Sequence, residues 1–235
     1  TLDFFDKHQL RYELWDGKKV LPNIVYGGGG IWIPNYRNVW SRQFLPLFAQ
    51  AAHVTILPSS FHDCPELTAA VDERFVIFCR EEKSFAYMKD STHNAKVLLD
   101  HDMAFRATDN ILREYCPTLT PVMAHALQKA FSIPSYHTVH MMRTDSEAVA
   151  SRHSDLDLSN LFGSSLPTRE EALFGAKLML ATVSRYEEIH TDRLHVAIAA
   201  ALIGKRVHII DNNYGKLSGV YALSMTNLKK VSLKK

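Results

Sequence analysis

The chain has 235 residues, 46% apolar and 22% charged, a globular composition with material for one large core or two small ones. A formal net charge of +2 is too weak to argue for a nucleic-acid partner, and the longest wholly apolar run, Val196–Ile203, is far too short to span a bilayer. Three cysteines (Cys64, Cys79 and Cys116), with no CxxC, indicate neither a disulfide framework nor a zinc knuckle and fit a reducing compartment.

No secretory signal is visible, and the chain opens with Thr1 rather than Met, which leaves room for upstream sequence. Residues 3–22 are mixed, with a turn expected at Trp15, Asp16 and Gly17. Asn23–Tyr26 reads as a short strand that runs into Gly27, Gly28, Gly29 and Gly30. The block is not GxGxxG and no Lys-Ser/Thr follows, so it is neither a Rossmann fingerprint nor a P-loop. It reads as a loop at the carboxyl end of a strand, facing a ligand. Ser41–Ala52 has helical spacing despite Pro46.

Strands are then expected at His53–Leu57, Phe75–Phe78 and Val97–Leu99. The first is followed by Pro58 and Ser59, the second by Cys79 and Arg80, and the third by Asp100, His101 and Asp102. Glu81 and Glu82 suit the first turn of a helix running to about Lys89. Strand, loop and helix repeat with polar residues at the strands' carboxyl ends, which is α/β with a mostly parallel sheet. Ala104–Ile133 reads as a helical connection. A second series begins with a strand at Tyr136–Met142, ending at Arg143. Ser151–Thr168 is polar and reads as a mobile loop, Arg169–Leu180 as helix, and Thr182–Ile189 as a short strand or loop.

The most organised stretch is Ile189–Val220. Thr191 or Asp192 is a candidate N-cap, Val196–Ile203 a helix apolar all round, Gly204 its stop, and Val207, Ile209 and Ile210 a strand hydrophobic on both faces. Arg193 and His195 stand where unpaired backbone N–H groups and the helix dipole favour an anion. Residues two apart on a helix point about 200° apart, so the two can serve one ligand only if Arg193 lies before or within the first turn. Tyr26, Trp32, Tyr36 and Trp40 fit either sugar stacking or a core. Lys229, Lys230, Lys234 and Lys235 read as a solvated tail. None of the 12 histidines lies in a zinc pattern such as HExxH. His101 with Asp102, or His137 with His140, offer metal-ligand types, but scattered structural histidines are the simpler reading and no metal is expected.

Taken together, GGGG-IW, VTILPSSFH, FCREEKSFAYM, LLDHDMAF and HTDRLHVAIAAALIGKRVHIIDNNYGK resemble, in order and spacing, the polysaccharide pyruvyl transferase family over about residues 23–221. The resemblance implies a GT-B-like fold of two Rossmann-type halves with mostly parallel sheets and a cleft between them. The expected division is 1–112 for the N-terminal half, 113–135 for a connecting segment and 136–235 for the C-terminal half. The family's Gly-Asn-x-Gly-Asp loop does not precede the glycine block, so the first half reads as shortened at its N-terminus.

The implied activity is transfer of pyruvyl from phosphoenolpyruvate to a sugar of a polysaccharide or its precursor, forming a cyclic ketal. Phosphoenolpyruvate serves as co-substrate, with no further cofactor. The expected partners are this donor and a glycan acceptor. The expected place is cytoplasmic, at or near the membrane where lipid-linked glycans are built. Under this reading Arg193 and Arg80 hold the anionic groups and His195 is the general acid or base, since the histidine reference pKa is about 6.5. Lys216 and Arg143 are further anion contacts, and Gly28, Gly29 and Gly30 let the acceptor approach the backbone. The alternatives are a GT-B glycosyltransferase using a nucleotide-sugar, and a truncated non-catalytic relative that binds a glycan or a partner.

Overall fold

A computed structural model describes residues 1–15, 19, 21–106, 129–132, 137–145, 148, 152–160, 168–211 and 215–234. The chain forms two compact units, Thr1–Arg106 with Ala222–Ser224 and Ala107–Tyr221 with Met225–Lys235. Each contains a sheet whose paired strands are all parallel. The segment expected to connect the halves, 113–135, lies mostly outside the described residues, as do Cys116 and the turn at Asp16 and Gly17.

In the first unit, α1 (Leu2–Lys7) precedes β1 (Asn23–Tyr26) and β2 (Gly29–Trp32). These two strands lie in tandem along β3 (His53–Phe61), with β4 (Phe75–Cys79) and β5 (Lys96–Leu99) beyond it. The glycine block is therefore half strand, not loop. Gly28 sits between β1 and β2 at φ +87°, and a Cβ there would lie 2.9 Å from the Pro58 carbonyl oxygen. The close approach that demands glycine is thus to β3 itself.

β3 runs on past Leu57 to Phe61, although Pro58 lacks an N–H for the ladder. The register shifts between Ile56 and Ser59, and that irregularity accommodates the proline. The Pro46 region is less regular than its spacing predicts. α2 (Arg37–Val39), a π-helical turn (Trp40–Phe44) and α3 (Leu45–Phe48) replace one helix. Pro46 has no N–H to return to the Arg42 carbonyl, and its ring crowds that oxygen. α4 (Pro65–Ala70) and α5 (Glu82–Ser91) complete the unit.

Trp32 and Trp40 are fully buried. The Trp32 ring lies 5.0 Å from Tyr26, 6.0 Å from Phe48 and 6.3 Å from the stacked Phe61. Tyr26, Tyr36 and Phe44 pack against this cluster from its partly buried rim. Trp32, Trp40 and Tyr26 are therefore core aromatics. Cys64 and Cys79 are free, buried thiols.

In the second unit the strand order is β6 (Thr138–Met141), β7 (Glu188–Thr191), β8 (Arg206–Ile210) and β9 (Val231–Lys234). α6 (Arg169–Ser184) enters on a capping box between Thr168 and Glu171 and runs a turn further than its sequence pattern suggests. α7 (Leu194–Leu202) joins β7 to β8, and α8 (Lys216–Ser224) joins β8 to β9.

Three expectations are corrected here. β8 is not apolar on both faces: Val207 and Ile209 are buried, whereas Arg206, His208 and Ile210 alternate onto a more open face. The α7 N-cap is Arg193 rather than Thr191 or Asp192, and its side chain makes no cap hydrogen bond. The Thr191 hydroxyl instead donates to the Met141 carbonyl at 2.6 Å and accepts from the Arg193 N–H at 3.0 Å, tying β6 to the start of α7. The lysine-rich end is not a tail. Val231–Lys234 pairs with β8, and lysines suit an edge strand because they discourage further pairing. Among the described residues no helix is long and apolar enough to cross a membrane.

Candidate functional site

The carboxyl ends of β6, β7 and β8 carry a chain of alternating arginines and aspartates. Arg143, just past β6, is 7% exposed. Its N–H donates to Asp192 Oδ1 at 2.7 Å, and its guanidinium grips Asp145 at 2.9 and 3.0 Å. Arg193 donates to Asp157 through Nε at 2.9 Å and through a second, shorter bond, and its third nitrogen reaches Asp145 at 2.8 Å. Arg152 bridges Asp192 at 3.2 Å and the Asp211 carbonyl at 3.1 Å. Asp157 also accepts from the Thr144 N–H at 2.8 Å, and Asp211 accepts from the Ser218 N–H at 3.2 Å in the first turns of α8.

Two of the three arginines expected from sequence, Arg143 and Arg193, are thus brought together, cross-braced by Asp145. Arg193 has extended backbone (φ −96°, ψ 114°), so it lies before the helix as the shared-ligand hypothesis requires. His195 is the second residue of α7 and is exposed. Lys216 opens α8 directly after Gly215, whose φ of +77° only glycine adopts without strain. Asn212, Asn213 and Tyr214, expected to lead into it, lie outside the described residues.

Four members of this network, Asp145, Arg152, Asp157 and Asp192, are not assigned from sequence as ion partners. Asp157 falls in the stretch read as a mobile loop. There Leu156, Asp157 and Leu158 are all buried, because Arg193 and Thr144 anchor the carboxylate between two apolar side chains. The sequence signal was the DLDL run at 155–158. Among the described residues, the guanidiniums of Arg143, Arg152 and Arg193 are each held by an aspartate carboxylate. Any anion binding there shares forks already held in position, which is preorganisation bought with charge.

The first unit has its own cluster. Arg80, directly past β4, is 2% exposed. Its Nε donates to Ser60 Oγ at 2.9 Å and another guanidinium nitrogen donates to Asp102 at 2.6 Å. Asp102 follows β5 and is itself buried, so Arg80 ties together the ends of β3, β4 and β5. It does not pair with Glu81 or Glu82 at the surface. Glu81 instead caps α5, accepting from the Ser84 N–H at 2.8 Å. The row Gly29, Ser59, Cys79, Leu99 crosses the sheet in register, so the glycine block and Arg80 share one end of it. Burial pushes the nearby Tyr26 phenol up to about 12, with the Arg80 charge pulling it partly back.

Two parallel α/β units that gather arginines at the carboxyl ends of their strands form an α/β frame of the kind that presents ligand-binding side chains at those ends. The sequence model of the family described as polysaccharide pyruvyl transferase matches residues 1–214, and the chain belongs to that family, which makes it a transferase. The crystal structure of an uncharacterized protein from Klebsiella pneumoniae subsp. pneumoniae NTUH-K2044 is similar, with 27% identity and a TM-score of 0.77. The match covers 100% of this chain and 85% of that one, and supports the same two-sheet α/β fold. No curated protein matches the chain significantly.

Proposed function

We propose that this pyruvyl transferase takes its pyruvyl group from phosphoenolpyruvate and leaves it as a cyclic ketal on two hydroxyls of a sugar in a polysaccharide or its precursor. The observation that carries the reading is the Arg143–Asp145–Arg193 brace at the carboxyl ends of β6 and β7 in a chain of this family. Phosphoenolpyruvate bears a phosphate and a carboxylate on one small frame, and planar guanidinium forks held by aspartates suit both.

The chemistry balances without a redox cofactor. An acid protonates the methylene carbon, positive charge develops at C2, and a sugar hydroxyl adds there while losing its proton to a base. The second hydroxyl then displaces phosphate, closing the ketal. In this scheme His195 carries the proton, as acid to the methylene carbon or base to the sugar hydroxyl. Arg193 and Arg143 orient the donor, and Lys216, at the start of α8, adds a further cation. Arg80, committed to Asp102 and Ser60, shapes the strand ends of the first unit, beside the glycines proposed to admit the acceptor. A cytoplasmic place at the membrane surface, where glycan precursors are built, supplies both substrates.

The test is phosphate release from phosphoenolpyruvate across a panel of acceptor sugars, with mass spectrometry of the acceptor. The expected result is acceptor-dependent release and an acceptor heavier by one pyruvate less one water. Release without an acceptor product, or turnover of uridine diphosphate sugars instead, overturns it.

A further inference from the structure

The open face of the second sheet carries a row of histidines. His140, His190 and His208 are register partners on β6, β7 and β8, and Ser232 on β9 ends the row. The His190 ring lies 4.8 Å from His140 and 4.6 Å from His208. Glu188 precedes His190 by two residues, so its side chain falls on the same face of β7. Its Oε1 lies 3.0 Å from His190 Nε2 and 3.2 Å from His208 Nε2, and its Oε2 takes a hydrogen bond from Arg206 at 2.9 Å. All three ligand atoms lie within 4.8 Å of one another.

We propose that Glu188, His190 and His208 bind a divalent transition ion of the zinc class, on the sheet face and outside the arginine–aspartate network. The two Glu–His separations suit it, and with the set spanning no more than 4.8 Å the two imidazoles need only close on the ion. A tetrahedral zinc with bonds of about 2.0–2.1 Å has ligand atoms about 3.3–3.4 Å apart, close to the two Glu–His distances. Two strands of one sheet present the ligands, so little order is lost on binding.

The hydrogen bonds around His208 point the same way. The Ser232 hydroxyl lies 3.4 Å from the Val207 carbonyl, which it donates to, and so accepts from His208 Nδ1 at 2.8 Å. With Nδ1 engaged by Ser232, Nε2 is the His208 nitrogen turned toward the Glu188 carboxylate, and an ion placed between them would be shared by both. Lys234 opposes binding, with its ammonium 3.3 Å from His190 Nδ1. The three side chains are 12–24% exposed, enough for solvent to complete the coordination sphere.

The test is calorimetric titration of the whole chain with zinc chloride near pH 7.5, and with cobalt chloride followed by its visible spectrum. The expected result is one saturable equivalent with a tetrahedral cobalt band. H190Q and H208Q should each weaken binding at least about tenfold. H153Q, on the rim, should leave it unchanged, and K234M should tighten it. Thermal melts guard against misfolding: zinc should raise the wild-type midpoint and not that of H208Q, with the metal-free midpoints alike. No saturable binding, or binding that survives the H190Q/H208Q double variant, overturns the proposal.

Discussion

At the scale of single residues, the arginines differ in what their removal exposes. Arg193 is shared between Asp157 and Asp145, and both carboxylates lose a partner in Arg193→Ala. The expected result is about a 10- to 100-fold rise in the KM for phosphoenolpyruvate, the worth of a charge-assisted contact of about 1.5–3 kcal/mol. Arg193→Lys should recover little of it, since an ammonium cannot reproduce the fork. His195→Ala should act in the opposite parameter, lowering kcat by about a hundredfold to ten-thousandfold with donor binding nearly intact. Steady-state kinetics with phosphate release as readout separates the two, and wild-type turnover in His195→Ala removes that residue from the chemistry. Both residues were legible in the sequence, because a cation and an imidazole at the start of an apolar helix stand out. The aspartates that hold the arginines were not, since nothing in Asp145 or Asp157 announces a partner 48 or 36 residues away; only the fold sets that pairing.

At the scale of elements, each unit's strand ends are held by a few polar ties whose loss should be measurable as stability. Arg80→Met leaves Asp102 buried without its cation, and breaking a buried pair this way costs about 3–5 kcal/mol. Replacing both, Arg80→Met with Asp102→Leu, should recover most of the loss in urea unfolding, because two apolar side chains need no partner. Glycines give a second contrast. Gly204, past the end of α7 at φ +72°, has nothing within 4 Å of a built Cβ, so Gly204→Ala should cost about 1–2 kcal/mol of backbone strain alone. Gly28→Ala adds a collision with the Pro58 carbonyl and should cost about 1–3 kcal/mol more. Equal losses at the two glycines would mean that β1 and β2 can shift away from β3. The strand–helix rhythm was readable from alternating apolar runs and polar strand ends. β9 and the end of β3 were not. Lysines around a three-residue apolar alternation look like a tail until a neighbouring strand supplies the ladder, and Pro58 looks like a stop until a register shift excuses it.

At the scale of the whole molecule, the fold class could be read because parallel α/β architecture repeats a local unit, whereas the histidine row could not, because it exists only in the register of separate strands. Acid stability tests how charge is distributed through the chain. Burial raises the Asp155 carboxyl, but the His140 N–H, the His153 ring and the charges of both histidines outweigh it and hold its pKa below the ordinary value. Glu66 is likewise lowered by Arg37, and Asp72 by Arg74. A carboxyl whose pKa is lower in the folded chain contributes stability that is present above its unfolded value, about 3.9–4.3, and is lost as pH falls through the folded one. Stability should therefore hold through mild acid and fall below about pH 4. Glu66, Asp72 and Asp155 all pair at or near the surface, where salt screens them, and the His153 partner of Asp155 is itself exposed. Denaturant unfolding between pH 7 and 3 should accordingly show an acid loss that shrinks in high salt and that Glu66→Gln, Asp72→Asn and Asp155→Asn each reduce. An acid transition in Asp155→Asn that matches wild type at low salt would show that the contacts of Asp155 with His140 and His153 contribute nothing to it.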